Sequence, residues 1–120
     1  TFLKLTTNKE GPGHIPRPFL IMTPEGINAA YLKRRVRDLG GCCRKCTWAA
    51  WSGAPDWFIF FPFPACHAWI ELKAPGKKPG PLQVKEHHEM RRAGCVVFVC
   101  DSPEQIDAAL SDLFEMSECD

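Results

Sequence analysis

The chain has 120 residues, 45% of them hydrophobic and 24% charged, the size and make-up of one globular domain that can bury a core without staples. No apolar run approaches the length of a membrane-spanning helix and no secretory leader is visible, so nothing in this sequence reads as a transmembrane segment. The net charge of +1 conceals an asymmetry, because residues 101–120 carry seven acids and no Lys or Arg, while residues 1–100 carry fifteen bases against seven acids. A basic body with an acidic end suits a nucleic-acid-facing surface backed by a solvated helix, although charge blocks are also common on ordinary surfaces.

Residues 1–22 have no clear period and hold Gly11, Pro12, Gly13, Pro16 and Pro18, the composition of an extended arm with turns. Within it, Phe19–Met22 reads as a short edge strand or a segment packed over the core. A single domain is expected over residues 23–120. Thr23-Pro24-Glu25 is a helix start, with Thr as N-cap, Pro at the first helical position and an acid in the first turn. That helix is expected to run to about Leu39 and stop at Gly40-Gly41. On a helical wheel Glu25, Asn28, Ala29, Leu32, Val36 and Leu39 share one face, which puts Glu25 at the end of the buried stripe. Strands are expected over Cys43–Trp51, Trp57–Phe61 and His67–Lys73, joined by a turn at Ser52-Gly53-Ala54-Pro55 and a tight connection at Pro62-Phe63-Pro64-Ala65. After a Gly/Pro/Lys loop a second helix is predicted from Pro81 to Ala93, stopped by Gly94. The apolar run Cys95-Val96-Val97-Phe98-Val99-Cys100 reads as a buried central strand, and Ser102-Pro103-Glu104 opens a last helix ending near Met116. The order α-β-β-β-α-β-α makes an α/β fold, a mixed sheet with helices on its faces.

The chemistry is concentrated at Pro55-Asp56 and Glu71-Leu72-Lys73. Alternate side chains of a strand share a face, so Glu71 and Lys73 point one way while Ile70 and Leu72 point into the core. The turn at Gly53 and Pro55 aims Asp56 at the end of the neighbouring strand. Carboxylates converging in a partly buried place repel one another unless a cation sits among them. Oxygen ligands of this kind favour Mg²⁺ or Mn²⁺, and a lysine beside them completes a kit for phosphodiester hydrolysis. By itself Glu-x-Lys is a weak signal, since on strands it is usually a solvated ion pair.

Gly53-x-Pro55-Asp56, the aromatic strand after it, Ile70-Glu71-Leu72-Lys73-Ala74, a Lys-rich loop and Gln83 opening a helix together resemble one family. They are similar to the VRR-NUC branch of the PD-(D/E)XK nucleases, the virus-type replication-repair nuclease domain, over roughly Thr23 to Ser102. The resemblance implies a restriction-endonuclease-like fold with an αβββαβ core, to which this chain adds a C-terminal helix. It implies Asp56 and Glu71 as metal ligands, Lys73 as catalytic lysine, the Leu72 backbone carbonyl in the metal shell, Glu25 as a further acid and Gln83 as a site glutamine. Taken alone, Glu25 reads equally as a first-turn acid complementing a helix dipole, and Gln83 as an ordinary first-turn polar residue. The implied cofactor is Mg²⁺ or Mn²⁺ and the implied partner is branched DNA. Stand-alone members of the branch resemble homodimeric four-way (Holliday) junction resolvases, which implies a homodimer working in the cytoplasm of a bacterial or phage-infected cell.

Other features have plainer readings. Lys77, Lys78 and Lys85 flank the proposed site and suit phosphate contacts, while Arg34 and Arg35, with Arg37, Arg44 and Lys45, form a second basic cluster or simply a solvated face. Seven cysteines, Cys42, Cys43, Cys46, Cys66, Cys95, Cys100 and Cys119, lie in apolar segments and read as small core residues in a reducing compartment. Cys43-x-x-Cys46 with Cys66-His67 invites a zinc reading that lacks a second clean pair. His87 and His88 fall mid-helix; His87 lies one turn beyond Gln83 and suits an approach to DNA, although exposed helix histidines are usually bystanders. Ile27, Ala30 and Tyr31 lie off the buried face and suit a contact with the arm or a dimer partner. The competing functions are a monomeric flap or nicking nuclease and a non-catalytic, zinc-stabilised nucleic-acid-binding module.

Overall fold

In the computed structural model, which describes residues 23–118, Thr23 caps the first helix as expected, accepting the Gly26 N–H at 2.9 Å with Pro24 at the first helical position. The arm expected over residues 1–22, the edge strand or covering segment expected at Phe19–Met22, and Cys119 lie outside the described residues. Helix α1 spans Pro24–Asp38 and is followed by β1 (Cys42–Lys45), β2 (Trp57–Pro62), β3 (Ala65–Leu72), α2 (Pro81–Arg92), β4 (Val97–Cys100) and α3 (Pro103–Glu118). The strands form one sheet in the order β1-β2-β3-β4, antiparallel except that β4 runs parallel to β3. A parallel pair needs a crossover, and α2 supplies it. The α/β fold, with a mixed sheet and helices on its faces, agrees with the sequence reading.

Alternation decides which face is core. Trp57, Ile59 and Phe61 of β2 and Ala68, Ile70 and Leu72 of β3 share one buried face. Leu32 and Val36 of α1 and Ile106, Ala109, Leu110 and Leu113 of α3 close over it. The periodic apolar positions of both helices therefore meet one sheet face, and their burial drives the fold. The other face carries Phe58, Phe60 and Trp69, half-buried and in mutual ring contact, and at its β3 end Glu71, which α2 roofs.

Several elements differ from expectation. The first strand ends at Lys45 instead of continuing to Trp51: the Cys46 N–H still bonds the Asp56 carbonyl opposite it at 2.7 Å, but beyond that the chain turns away and the Trp48 indole bonds the Pro55 carbonyl at 2.8 Å. Ala50 then adopts a φ of 59°, which no strand accommodates. Strand β4 lies at a sheet edge among the described residues, not in the centre. Its apolar run reflects packing against α2 and α3 rather than strands on both sides. Leu39 serves as C-cap of α1 and is partly exposed, and Glu25 is exposed, so the buried stripe is Asn28, Leu32 and Val36. Tyr31 faces α3, its hydroxyl donating to Asp107 at 2.8 Å, rather than lying free for a partner. No helix among the described residues is long and apolar enough to cross a membrane.

Asn28 ties the layers together where β3 and β4 end. Its buried amide donates to the Lys73 carbonyl at 3.0 Å and to the Asp101 carbonyl at 2.8 Å. Removing it leaves two carbonyls that no other group is seen to satisfy. Asn28→Ala is expected to lower the unfolding free energy by about 1–3 kcal/mol, measured by urea denaturation, and to loosen the backbone that carries Lys73.

Candidate active site

The site follows from strand register. Lys45 pairs with Trp57, and Trp57 with Ile70, so the residue before Trp57 comes to lie beside the residue after Ile70. Those residues are Asp56 and Glu71. The turn leading to Asp56 is pressed against the first turn of α2 at Gly53, where φ is +93° and a Cβ would stand 2.7 Å from the Leu82 carbonyl oxygen. Only glycine tolerates both conditions. Pro55 is buried, and the bonds from Trp48 and Cys46 fix the carbonyls on either side of Asp56's nitrogen and carbon.

Glu71 is only 7% exposed. Gln83, in the first turn of α2, bridges it to Lys73. The Gln83 Nε2 donates to Glu71 Oε2 at 3.1 Å, and its Oε1 accepts from Lys73 Nζ at 2.7 Å and from the Gly80 N–H at 2.9 Å. That set of partners permits one amide orientation only, with oxygen to the two donors and nitrogen to the carboxylate. The Lys73 ammonium also stands 3.7 Å from Glu71 Oε2. Burial pushes the Glu71 carboxyl above its ordinary value; Lys73 opposes that rise, while the negative charges of Asp56 and Glu25 add to it. Two acids outside β3 thus act on Glu71 through their charges.

Asp56 is half-buried and paired with Lys45, Nζ to Oδ2 at 3.0 Å. Lys45 lies over the Trp57 ring at 4.8 Å, and Lys33 of α1 lies over the same ring at 5.6 Å. Glu25 stands at the rim of an open cleft of about 500 Å³ shared with Lys45, Trp57 and Ala74. Leu72 closes β3 with its side chain in the core, two residues past the last β2–β3 pair, so on that side its carbonyl lies beyond the ladder. Lys77 and Lys78 are exposed on the loop after β3, which the Asp101 carboxylate pins at the Gly76 N–H, 3.0 Å. Lys85 is exposed on α2 beside Trp51 and Leu82. Arg35 is paired with Asp107 of α3 at 3.3 Å, and Arg34 covers the Tyr31 ring at 5.3 Å, so both have partners on or near α1.

His87 departs most from the sequence reading. It is 1% exposed, not a surface bystander, and its Nε2 faces Glu71 Oε1 at 3.8 Å. Burial and the charges of Arg91 and Lys73 push the imidazole below its ordinary value, which leaves it neutral at pH 7. Its spacing of one helical turn from Gln83 was visible in the sequence and is the signal that could have found it. Lys45 carried no such signal, because only the β1–β2 register brings it to Asp56. The cysteines do not converge: among the described residues no three His, Cys, Asp or Glu side chains stand close enough to enclose a metal ion. Burial raises the Cys43 thiol to about 11, which disfavours the thiolate a zinc site needs.

No family model matches the chain. A protein named "Putative nuclease p44", from Acyrthosiphon pisum secondary endosymbiont phage 1, is 35% identical over 74 residues, covering 62% of this chain and 78% of that protein. A solved structure described as a VRR_NUC domain matches with a TM-score of 0.69 at 37% identity, over 74% of this chain and 96% of that one. The chain belongs to the VRR-NUC family. In this VRR-NUC domain, Glu71, Lys73 and Gln83 contact one another, Asp56 lies beside Glu71 by strand register, and Asp56 and Glu25 act on Glu71 through their charges.

A carboxyl whose pKa rises on folding opposes folding above its ordinary value of 4.5 and not below it. Glu71→Gln is thus expected to raise Tm in chelator at neutral pH by about 2–5 °C. The gain should vanish as the pH falls below 4.5, where the carboxyl is protonated in both states. Thermal melts across that range check it.

Proposed function

We propose that this protein is a Mg²⁺- or Mn²⁺-dependent endonuclease that hydrolyses DNA phosphodiester bonds. The observation that carries the reading is the hydrogen-bonded set Glu71–Gln83–Lys73 beside Asp56. A structural ion pair has no use for a buried carboxylate raised by two further acids. The membership of the family and the name of the phage relative support the same activity.

The donors suit such an ion. Asp56 and Glu71 offer hard carboxylate oxygens on adjacent strand ends, with the Leu72 carbonyl next in sequence and Glu25 at the rim. Mg²⁺ keeps several waters and takes one or two carboxylates, so Asp56 and Glu71 suffice as its side-chain ligands. When bound, the ion supplies positive charge at the scissile phosphate and acidifies a water molecule. The residues do the rest. Lys73 donates one N–H hydrogen bond to Gln83 Oε1 and has its other two N–H groups for a phosphate oxygen or for the attacking water. Gln83 holds Lys73 and Glu71 in fixed relation, so neither reorganises during the reaction. Lys45 and Lys33, at the Trp57 side, and Lys77 and Lys78, on the loop, are the cations placed to meet phosphates flanking the cut.

The substrate we assign is the four-way junction, cut by a homodimer. Two-fold pairing of a body this small matches the symmetry of two cuts in paired strands. Solution mass combined with cleavage of a labelled junction, a flap and a linear duplex checks this; symmetric junction cuts by a dimer are expected, and a monomer that cuts flaps alone rejects it.

Cleavage is expected to require added Mg²⁺ or Mn²⁺ and to fall about 10²–10³-fold in Lys73→Met, with Asp56→Asn inactive and both variants still binding DNA in chelator. Full activity of Lys73→Met refutes the mechanism. Replacing Lys33 and Lys45 together by Ala is expected to reduce the salt slope of DNA affinity by about 2, whereas Arg34→Ala and Arg35→Ala leave it nearly unchanged.

A further inference from the structure

Helix α2 lays two polar side chains over Glu71, one turn apart on the same face. Gln83 engages Oε2 at 3.1 Å, and His87 faces Oε1 at 3.8 Å. The His87 Nε2 is buried and has no hydrogen-bond partner. A buried polar atom left without a partner costs about 1–3 kcal/mol, so the gap calls for an explanation. The charged groups acting on the ring are Arg91, Lys73, Glu86 and the facing Glu71. Arg91 donates to the Val97 carbonyl at 2.7 Å and Lys73 donates to Gln83 at 2.7 Å, and neither can accept a proton. Glu71 Oε1 is the acceptor that stands opposite Nε2, short of bonding by less than an ångström.

We infer that His87 is a positioning residue for Glu71, its Nε2–H closing on Oε1 when the carboxylate ligates a divalent cation. The inference rests on the metal site proposed above and adds a residue to it. Gln83 and Lys73 hold one oxygen of Glu71, and a bond from His87 holds the other. With both oxygens fixed, the remaining lone pairs keep one direction, which is how groups behind a ligand raise metal affinity. His87 touches neither substrate nor ion. It acts through Glu71 alone.

The test is calorimetric titration of the full chain with MnCl₂, without DNA, for the parent, Asp56→Asn, His87→Leu and His87→Gln, with thermal melts confirming that each is folded. The parent is expected to bind and Asp56→Asn to lose binding. His87→Leu should weaken Mn²⁺ affinity about 10–100-fold, and His87→Gln, whose amide N–H extends toward Oε1, should restore most of it. Cleavage by His87→Leu should recover at saturating Mn²⁺, because the defect lies in holding the ion. Unchanged affinity in folded His87→Leu overturns the inference, and so does equal loss in the Leu and Gln variants, which marks a packing role. A parent that binds no Mn²⁺ overturns the metal site itself and this inference with it. If His87→Leu does not fold, His87→Asn takes its place, since its amide falls where Nδ1 stood and cannot reach Oε1.

Discussion

Burial of the Glu71 carboxylate under α2 is the constraint around which this domain is arranged. A carboxylate taken from water loses hydration that only hydrogen bonds and opposite charge replace. Here the replacement is partial. Gln83 and Lys73 satisfy Oε2, whereas Oε1 looks toward an imidazole that stops short of it. The negative charges of Asp56 and Glu25 push the carboxyl further toward its protonated form. A region evolved for stability alone would not gather acids at one strand end. Under the proposed function, a divalent cation would offset that repulsion.

Three separate contacts keep that point in place. Asn28 hooks α1 onto the carbonyls of Lys73 and Asp101, fixing the exits of β3 and β4 against each other. Gly53 lets the turn before Asp56 touch the backbone of α2, so the helix that carries Gln83 and the turn that carries Asp56 are set by one contact. The Asp101 side chain holds the following loop at Gly76. Because each contact involves backbone groups, the site's geometry follows from the fold and not from flexible side chains.

The sequence disclosed the parts of this molecule that depend on local pattern. The strand patterns at Trp57–Phe61 and His67–Lys73, the Thr23-Pro24 cap and the glycine stops predicted the elements, while Asp56, Glu71 and Lys73 stood out by their spacing and Gln83 by the family resemblance. Features set by tertiary contact were not legible. An apolar run such as Cys95–Cys100 reads alike whether strands or helices cover it, and here α2 and α3 cover an edge strand. Arg35 and Tyr31 looked available until α3 brought Asp107 to them. His87 looked exposed because helical spacing shows which residues share a face, not what lies above that face.

The two lysines at the site have different freedoms, and that difference bears on the proposed chemistry. Lys73 is largely buried and tied to Gln83 and Glu71, so its charge is fixed at the reacting end of β3. Lys45 extends from an edge strand with 54% of its side chain exposed and balances Asp56 through a pair that water screens. Under the proposed function, a divalent cation held by Asp56 would supply the charge that Lys45 provides here. Lys45, which with Lys33 lies over the Trp57 ring, would then be free to meet a phosphate. A site built with a second fixed lysine at that position would have to expel a buried charge before it could take up its metal. Placing the exchangeable cation on an exposed edge avoids that cost.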